Sequence, residues 1–179
     1  MGHMEVPLIG GRAGAGKTSV GWEVSALLRA GAVAHAVVEG DHLGHVHPAP
    51  PDDPDRARIT EANLAAVRGN FARLGHRRLV CTNTACVLPE ATGLFTRALA
   101  PGRIVRVLLT ASDETVRTRL TAREQGSERE REPARSARTA GVLERRAVAG
   151  TVRVATDGRG VGDIARDALA ATGWLGPAG

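Results

Sequence analysis

Two hydrophobic rhythms alternate along the chain. Short, nearly continuous apolar runs cover residues 6–9, 33–38, 78–82, 104–109 and 152–155. Their length and their glycine or polar borders predict buried strands. The run at 104–109 is apolar at almost every position, as a strand covered on both faces should be. Between these runs, apolar residues recur every three or four positions, the spacing of a helix that buries one face. Val20, Val24, Leu27 and Leu28 mark such a helix over residues 18–29, stopped by Gly31. Ile59, Leu64, Val67, Phe71 and Leu74 mark a second over 55–74, ended by Gly75. Residues 89–99, 133–149 and 161–171 read as further helices, and Ser112 caps one that runs to about residue 123. This alternation predicts an α/β fold: a parallel sheet with helices on both faces, joined by right-handed crossovers.

Two stretches break the rhythm. HVHPAPPDDPD, residues 45–55, is too rich in proline for a helix or a central strand and predicts a surface loop. Such loops, at the carboxyl ends of strands, are where α/β sheets bind ligands. The segment 123–138, REQGSEREREPARSAR, is dense in both charge signs and reads as a solvated helix pair or a mobile lid.

With 179 residues, 42% of them apolar and 24% charged, the chain has the size and composition of one globular domain. We expect it over residues 4–175, with Met1, Gly2 and His3 an expression remnant. No stretch approaches the ~18 apolar residues of a membrane span, and no charged-then-apolar leader opens the chain. The expected compartment is therefore cytoplasmic. Cys81 and Cys86 are expected to be reduced packing residues. The net charge is +5, yet the chain has no tyrosine, two phenylalanines and two tryptophans. It lacks the aromatic platforms that stack single-stranded bases. Small anionic ligands, not nucleic acid, are the expected use of the positive charge, and monomer and homodimer both stay open.

The chemistry concentrates in GRAGAGKT, residues 11–18, which matches G-x-x-x-x-G-K-[ST] between a strand and a helix. Backbone N–H groups from Gly11 through Ala13, Gly14, Ala15 and Gly16 to Ser19 are placed to surround phosphate oxygens. Lys17, the only lysine among 24 basic residues, is expected to reach the β- and γ-phosphates. Thr18 is expected to set its hydroxyl on Mg²⁺. Downstream, EGDHL at residues 39–43 ends the second strand. Asp41 is the candidate base for an acceptor hydroxyl, and Glu39 either supports it from behind or contacts Mg²⁺ through water. His42 and His45 are candidates for acceptor hydrogen bonds. Arg56 offers a guanidinium to an anionic part of the acceptor. Thr82 and Asn83, with Thr84, offer polar groups beyond the third strand. His42, His45 and His47 crowd one loop, but H-x-x-H-x-H fits no standard zinc spacing. Asp53 or Asp55 suits a helix cap. Arg159 lies just after the fifth strand, in a stretch that an ordinary strand-to-helix turn explains. No strand-ending aspartate of the Walker B kind follows strand three, and no N-K-x-D is present.

The order of these pieces resembles the small P-loop kinases: gluconate kinase, adenylylsulfate kinase, shikimate kinase and chloramphenicol phosphotransferase. It runs from the P-loop through EGDHL and LVCTN to an arginine-rich segment after strand four. The stretches PAPPDDPDR and NLAAVRGNF look most like actinobacterial kinase-like ATP-binding proteins. The resemblance implies a three-layer α/β/α P-loop NTPase fold with a five-stranded sheet ordered 2-3-1-4-5 and a helical lid. It implies ATP and Mg²⁺, an Asp41 that acts on the acceptor hydroxyl, phosphate-binding arginines from the Arg119, Arg123, Arg129 and Arg131 region, and a loop after the fifth strand near the adenine, where Arg159 would stack on the base. The histidines that follow G-D here depart from the asparagine and arginine of adenylylsulfate kinases. The expected function is transfer of the γ-phosphate to a hydroxyl of a sugar acid, nucleoside or antibiotic-like metabolite. The alternatives are a regulatory or hydrolytic nucleotide-binding module without an acceptor, and a kinase of nucleotides or RNA ends.

Overall fold

The structure, a computed structural model, describes residues 3–123 and 132–174, except the side chains of residues 101, 123, 132 and 133. Its strands are β1 (Met4–Gly10), β2 (Ala36–Glu39), β3 (Leu79–Thr82), β4 (Pro101–Thr110) and β5 (Val152–Ala155). Its helices are α1 (Lys17–Ala30), α2 (Ala57–Arg73), α3 (Pro89–Leu99), α4 (Asp113–Arg123), α5 (Glu132–Arg146) and α6 (Val161–Ala170). The strands form one parallel sheet in the order β2-β3-β1-β4-β5, the order that the resemblance implied.

Alternation along the strands divides the core between the two faces. Val6 and Leu8, Leu79 and Cys81, and Leu108 pack with Leu64 of α2, Phe95 and Leu99 of α3, and Leu143 of α5. Ile9, Val80, Val107, Leu109 and Val154 turn the other way, onto Val20, Val24 and Leu28 of α1 and Ile164 and Leu169 of α6. The central strands β1 and β3 are covered on both sides, which explains why their apolar runs are almost unbroken, whereas β5 at the sheet edge buries Val154 and exposes Val152, Arg153 and Ala155.

Several boundaries differ from the expected ones. β2 starts at residue 36, because the Val33 N–H donates to the Leu28 carbonyl (2.8 Å) and helps close the end of α1. β4 is longer than its apolar run, since it pairs with the whole of β1. Residues 132–138, read both as the start of a helix over 133–149 and as part of a solvated helix pair or lid over 123–138, form the first half of α5. Ser136 is buried there at 2% exposure, so this part of the segment is packed helix. Residues 124–131, including Arg129 and Arg131, lie outside the described part.

Polar ties hold the loops. The Asp53 carboxylate is buried and caps α2, accepting the Arg58 and Ile59 N–H groups at 3.1 and 3.0 Å. Ser112 caps α4, its Oγ accepting the Thr115 N–H at 3.2 Å. Asp157, after β5, accepts the Ser112 N–H at 2.9 Å and its hydroxyl at 2.9 Å. The Thr115 hydroxyl foremost, then Ser112, holds the Asp157 carboxyl below the usual carboxylate range. Burial pushes the Cys81 thiol up to about 12 and the Cys86 thiol well above its ordinary value. Both cysteines are therefore inert packing residues, as expected.

Two outcomes follow for stability. Leu64 is the buried residue of α2, so Leu64→Ala should cost about 3 kcal/mol in urea unfolding with an unchanged m-value. A lowered folded pKa stabilises above the unfolded value of about 3.9 and is lost as pH falls through the folded one. Asp157→Asn should therefore melt below the wild type at pH 7, with the gap closing on acidification below about pH 4.

Candidate active site

β1 ends at Gly10 and α1 begins at Lys17, so the glycine-rich loop spans the carboxyl edge of the sheet. Gly16, just before α1, is left-handed at φ 98° and ψ 16°, a conformation that costs glycine little. The N–H groups of Lys17, Thr18 and Ser19 have no acceptor within the helix. With the partial positive charge of the helix end, they form an anion site. The loop carbonyls point to other donors. The Ser136 hydroxyl donates to the Ala13 carbonyl at 2.7 Å. Arg119 Nη1 lies 3.3 Å from the Gly14 carbonyl, 3.5 Å from that of Ala15 and 3.1 Å from the Thr156 hydroxyl.

A cavity of about 610 Å³ opens over this loop. Residues 13–20 form one wall, and Glu39, Asp41, His42, Thr82 and Thr84 close one end. Arg119, Leu120, Arg159, Val161 and Ile164 form the other end. Gly11 stands outside the lining. A side chain there would meet the Leu109 carbonyl at 3.0 Å, so its part is to let the loop pass β4.

Thr18 Oγ1 donates to Glu39 Oε2 at 3.3 Å, and the Trp22 indole N–H donates to Glu39 Oε1 at 3.2 Å. A hydroxyl and a carboxylate at the mouth of a phosphate loop are hard oxygen donors that fit Mg²⁺, which takes few protein ligands beside phosphates. Among the described residues, no three His, Cys, Asp or Glu side chains cluster to hold a metal ion by themselves. The histidine loop is split: His42 lines the first cavity, while His45 and His47 line a second.

Asp41 lies on the 3-10 turn Gly40–His42 that follows β2. Its Oδ2 is 3.4 Å from Lys17 Nζ. The Thr84 N–H donates to Oδ1 at 2.7 Å and the Thr84 hydroxyl to Oδ2 at 3.0 Å. The turn sits this close to the end of β3 because Gly40 has no side chain. A Cβ there would be 2.9 Å from the Thr82 carbonyl.

The second cavity, about 430 Å³, lies on the other side of Asp41, beneath the proline-rich loop. Arg56, Asn83, Asp55 and Thr60 line it with the two histidines, and Arg135 enters from α5. Arg56 is left-handed at φ 58° without a glycine's freedom, a strain that sites often hold. Its Nε donates to the Val46 carbonyl at 3.0 Å, which leaves the two terminal nitrogens for other partners. Among the described residues, Asp41 alone lines both cavities.

Most of the residues read from the sequence gather here, though not all in the expected place. Thr82 is 3% exposed and belongs to the first cavity, against Gly21 of α1. Asn83 reaches the second cavity, but its side-chain oxygen accepts the Ala85 N–H at 2.9 Å. Arg159 is at the first cavity and pairs with Asp167 at 2.7 Å. The Arg123 side chain lies outside the described part. The sequence reading missed Arg135 and Ser136, whose segment carried only a charge signal. It also missed Trp22, which is exposed on α1 and bonded to Glu39.

No protein-family model matches the chain, and no curated protein matches it either. Solved structures do. A gluconokinase from Sinorhizobium meliloti 1021 is 22% identical, with 96% of this chain and 93% of that one covered and a TM-score of 0.59. The Mycobacterium tuberculosis APS kinase, in complex with AMPPNP and APS, is 18% identical over 96% and 98% of the two chains, with a TM-score of 0.57. A tunicamycin resistance protein from Deinococcus radiodurans is 16% identical over 93% and 94%, with a TM-score of 0.61. At these identities the likeness is one of fold: the chain has the three-layer α/β/α fold of P-loop kinases.

Proposed function

We propose that the protein is a phosphotransferase that moves the γ-phosphate of ATP to a hydroxyl of a small, anionic, polar acceptor. The observation that carries this reading is the meeting of two cavities at one carboxylate, Asp41. A regulatory or purely hydrolytic module has no need of a second polar cavity on the far side of that carboxylate. The phosphate loop and Lys17 would bind the triphosphate in the first cavity. The acceptor would lie in the second with its hydroxyl against Asp41. The acceptor oxygen bonds to the γ-phosphorus as the bond to the β,γ-bridging oxygen breaks. ADP leaves, and the hydroxyl proton passes to Asp41. Mg²⁺ held by Thr18, with Glu39 beside it, would supply charge neutralisation on the phosphates.

The lining of the second cavity supports an anionic acceptor. Arg56 and Arg135 contribute two guanidiniums that form no ion pair among the described residues, set against the carboxylates of Asp55 and of Asp41, which the proposed reaction engages. Among the described residues its ring side chains are the small imidazoles of His45 and His47, with no phenylalanine or tryptophan. Among the expected acceptors, a hydroxylated acid such as a sugar acid fits better than a nucleoside.

Two outcomes test the reading. Lys17→Ala should weaken binding of a non-hydrolysable ATP analogue by about tenfold or more in calorimetry, since bonds to charged groups carry about 1.5–3 kcal/mol. In an ATP-consumption screen, hydroxylated carboxylates or phosphates should stimulate turnover more than neutral nucleosides. With a stimulating acceptor, Asp41→Asn should cut turnover by about 100-fold or more and leave analogue affinity within a few-fold. Turnover that no acceptor raises would sink the phosphotransferase reading.

A further inference from the structure

We infer that Thr84 is the positioning residue for Asp41, through its hydroxyl. The inference rests on the proposed role of Asp41 in phosphoryl transfer. An aspartate carboxylate turns about a terminal torsion with a broad, roughly two-fold profile. One hydrogen bond leaves that rotation soft, whereas two donors on different oxygens stop it. Thr84 supplies both: its N–H reaches Oδ1 at 2.7 Å and its hydroxyl reaches Oδ2 at 3.0 Å. The other group close to Oδ2 is Lys17 Nζ, at 3.4 Å. In the proposed reaction Lys17 serves the phosphates, so it does not hold Oδ2 through turnover, and the threonine hydroxyl does.

The surroundings give the clamp a stiff mount. Thr84 belongs to the connection after β3, and the preceding Asn83 N–H donates to the Ile9 carbonyl of β1 at 3.1 Å. Asn83 also accepts the Ala85 N–H through its side chain at 2.9 Å. β2 and β3 are paired up to Glu39 and Thr82. Gly40 then lets the Asp41 turn press against the Thr82 carbonyl and the Asn83 side chain, to 2.9 and 3.2 Å from its Cβ position. Asp41 is thus fixed to the strand next to the phosphate loop, 43 positions on in sequence. A hydroxyl nucleophile gains most of its rate from such fixed placement.

The test uses ATP and water alone, because acceptor-free hydrolysis by the purified protein needs no identified acceptor. Thr84→Val keeps the shape and the backbone N–H but removes the hydroxyl donor. It should lower hydrolysis about tenfold, in line with the loss of a bond to a charged group. Thr84→Ser should restore the rate to within about twofold. Affinity for a non-hydrolysable ATP analogue should stay within about twofold in both variants. On an Asp41→Asn background, Thr84→Val should have no further effect, the signature of a residue that acts through another. Thr84→Ala removes the same donor without steric demand and must reproduce the loss if Thr84→Val proves unstable. A Thr84→Val rate equal to wild type overturns the inference, as does a loss that adds in full to that of Asp41→Asn. If Asp41→Asn itself leaves hydrolysis unchanged while Lys17→Ala abolishes it, the reading of Asp41 falls and the inference with it. If Asp41→Asn is slow and Thr84→Val is not, the inference alone falls.

Discussion

A loop that points its N–H groups at an anion must send carbonyl groups the other way, and each of those needs a donor. The rest of this structure depends on that requirement. The Ala13 carbonyl is taken by Ser136 of α5, and the Gly14 and Ala15 carbonyls by Arg119 of α4. Arg12 in the same loop is buried and pairs with Asp113 at the start of α4, 2.6 Å away. The glycine-rich loop is therefore held from behind by two helices more than 100 positions along the chain. The motif alone has the right residues; the helices give it a fixed shape.

The same bonds explain why one lysine stands among arginines. Arginine presents a rigid fork of donors that matches oxygens in fixed places. The chain uses it that way repeatedly. Arg119 spans the loop and Thr156, Arg77 reaches the Ala72 carbonyl at the end of α2, and Arg103 the Thr172 carbonyl beyond α6. Cations near helix C-termini also meet the negative end of the dipole. Lys17 has no such fixed duty, and among the described residues its ion pair is with Asp41 at 3.4 Å. A compact ammonium on a flexible stem suits a phosphate that changes position, which is the role we propose for it.

Strand order does the remaining work. Thr82 is in register with Ile9 on one side and with Glu39 on the other. The end of β1, the Glu39–Asp41 turn and the Asn83–Thr84 connection therefore line one carboxyl edge. Such edges are where parallel sheets hold ligands. Gly40 keeps them in contact, and the second cavity opens where the proline-rich loop turns back over them.

The sequence by itself determined the strand and helix alternation and singled out the glycine-rich loop and Asp41 as candidates, because each is local. Apolar period, glycine placement and motif spacing all act within a few residues. It also marked Asp53 or Asp55 as a cap, for the same reason, and the structure gives that part to Asp53. It misjudged the start of β2, where Val33 serves the end of α1 instead of the sheet. It read residues 133–149 as helix and left 123–138 between a solvated helix pair and a lid, but gave no sign that Ser136 is buried against the phosphate loop. Only the tertiary structure decided that Thr84 grips Asp41, that Ser136 and Arg119 brace the loop, and that Arg135 and Arg56 line one second cavity. These pairings depend on which strands are neighbours and where the crossovers return. Contacts across 43 to 123 positions leave no periodic trace in the sequence that makes them.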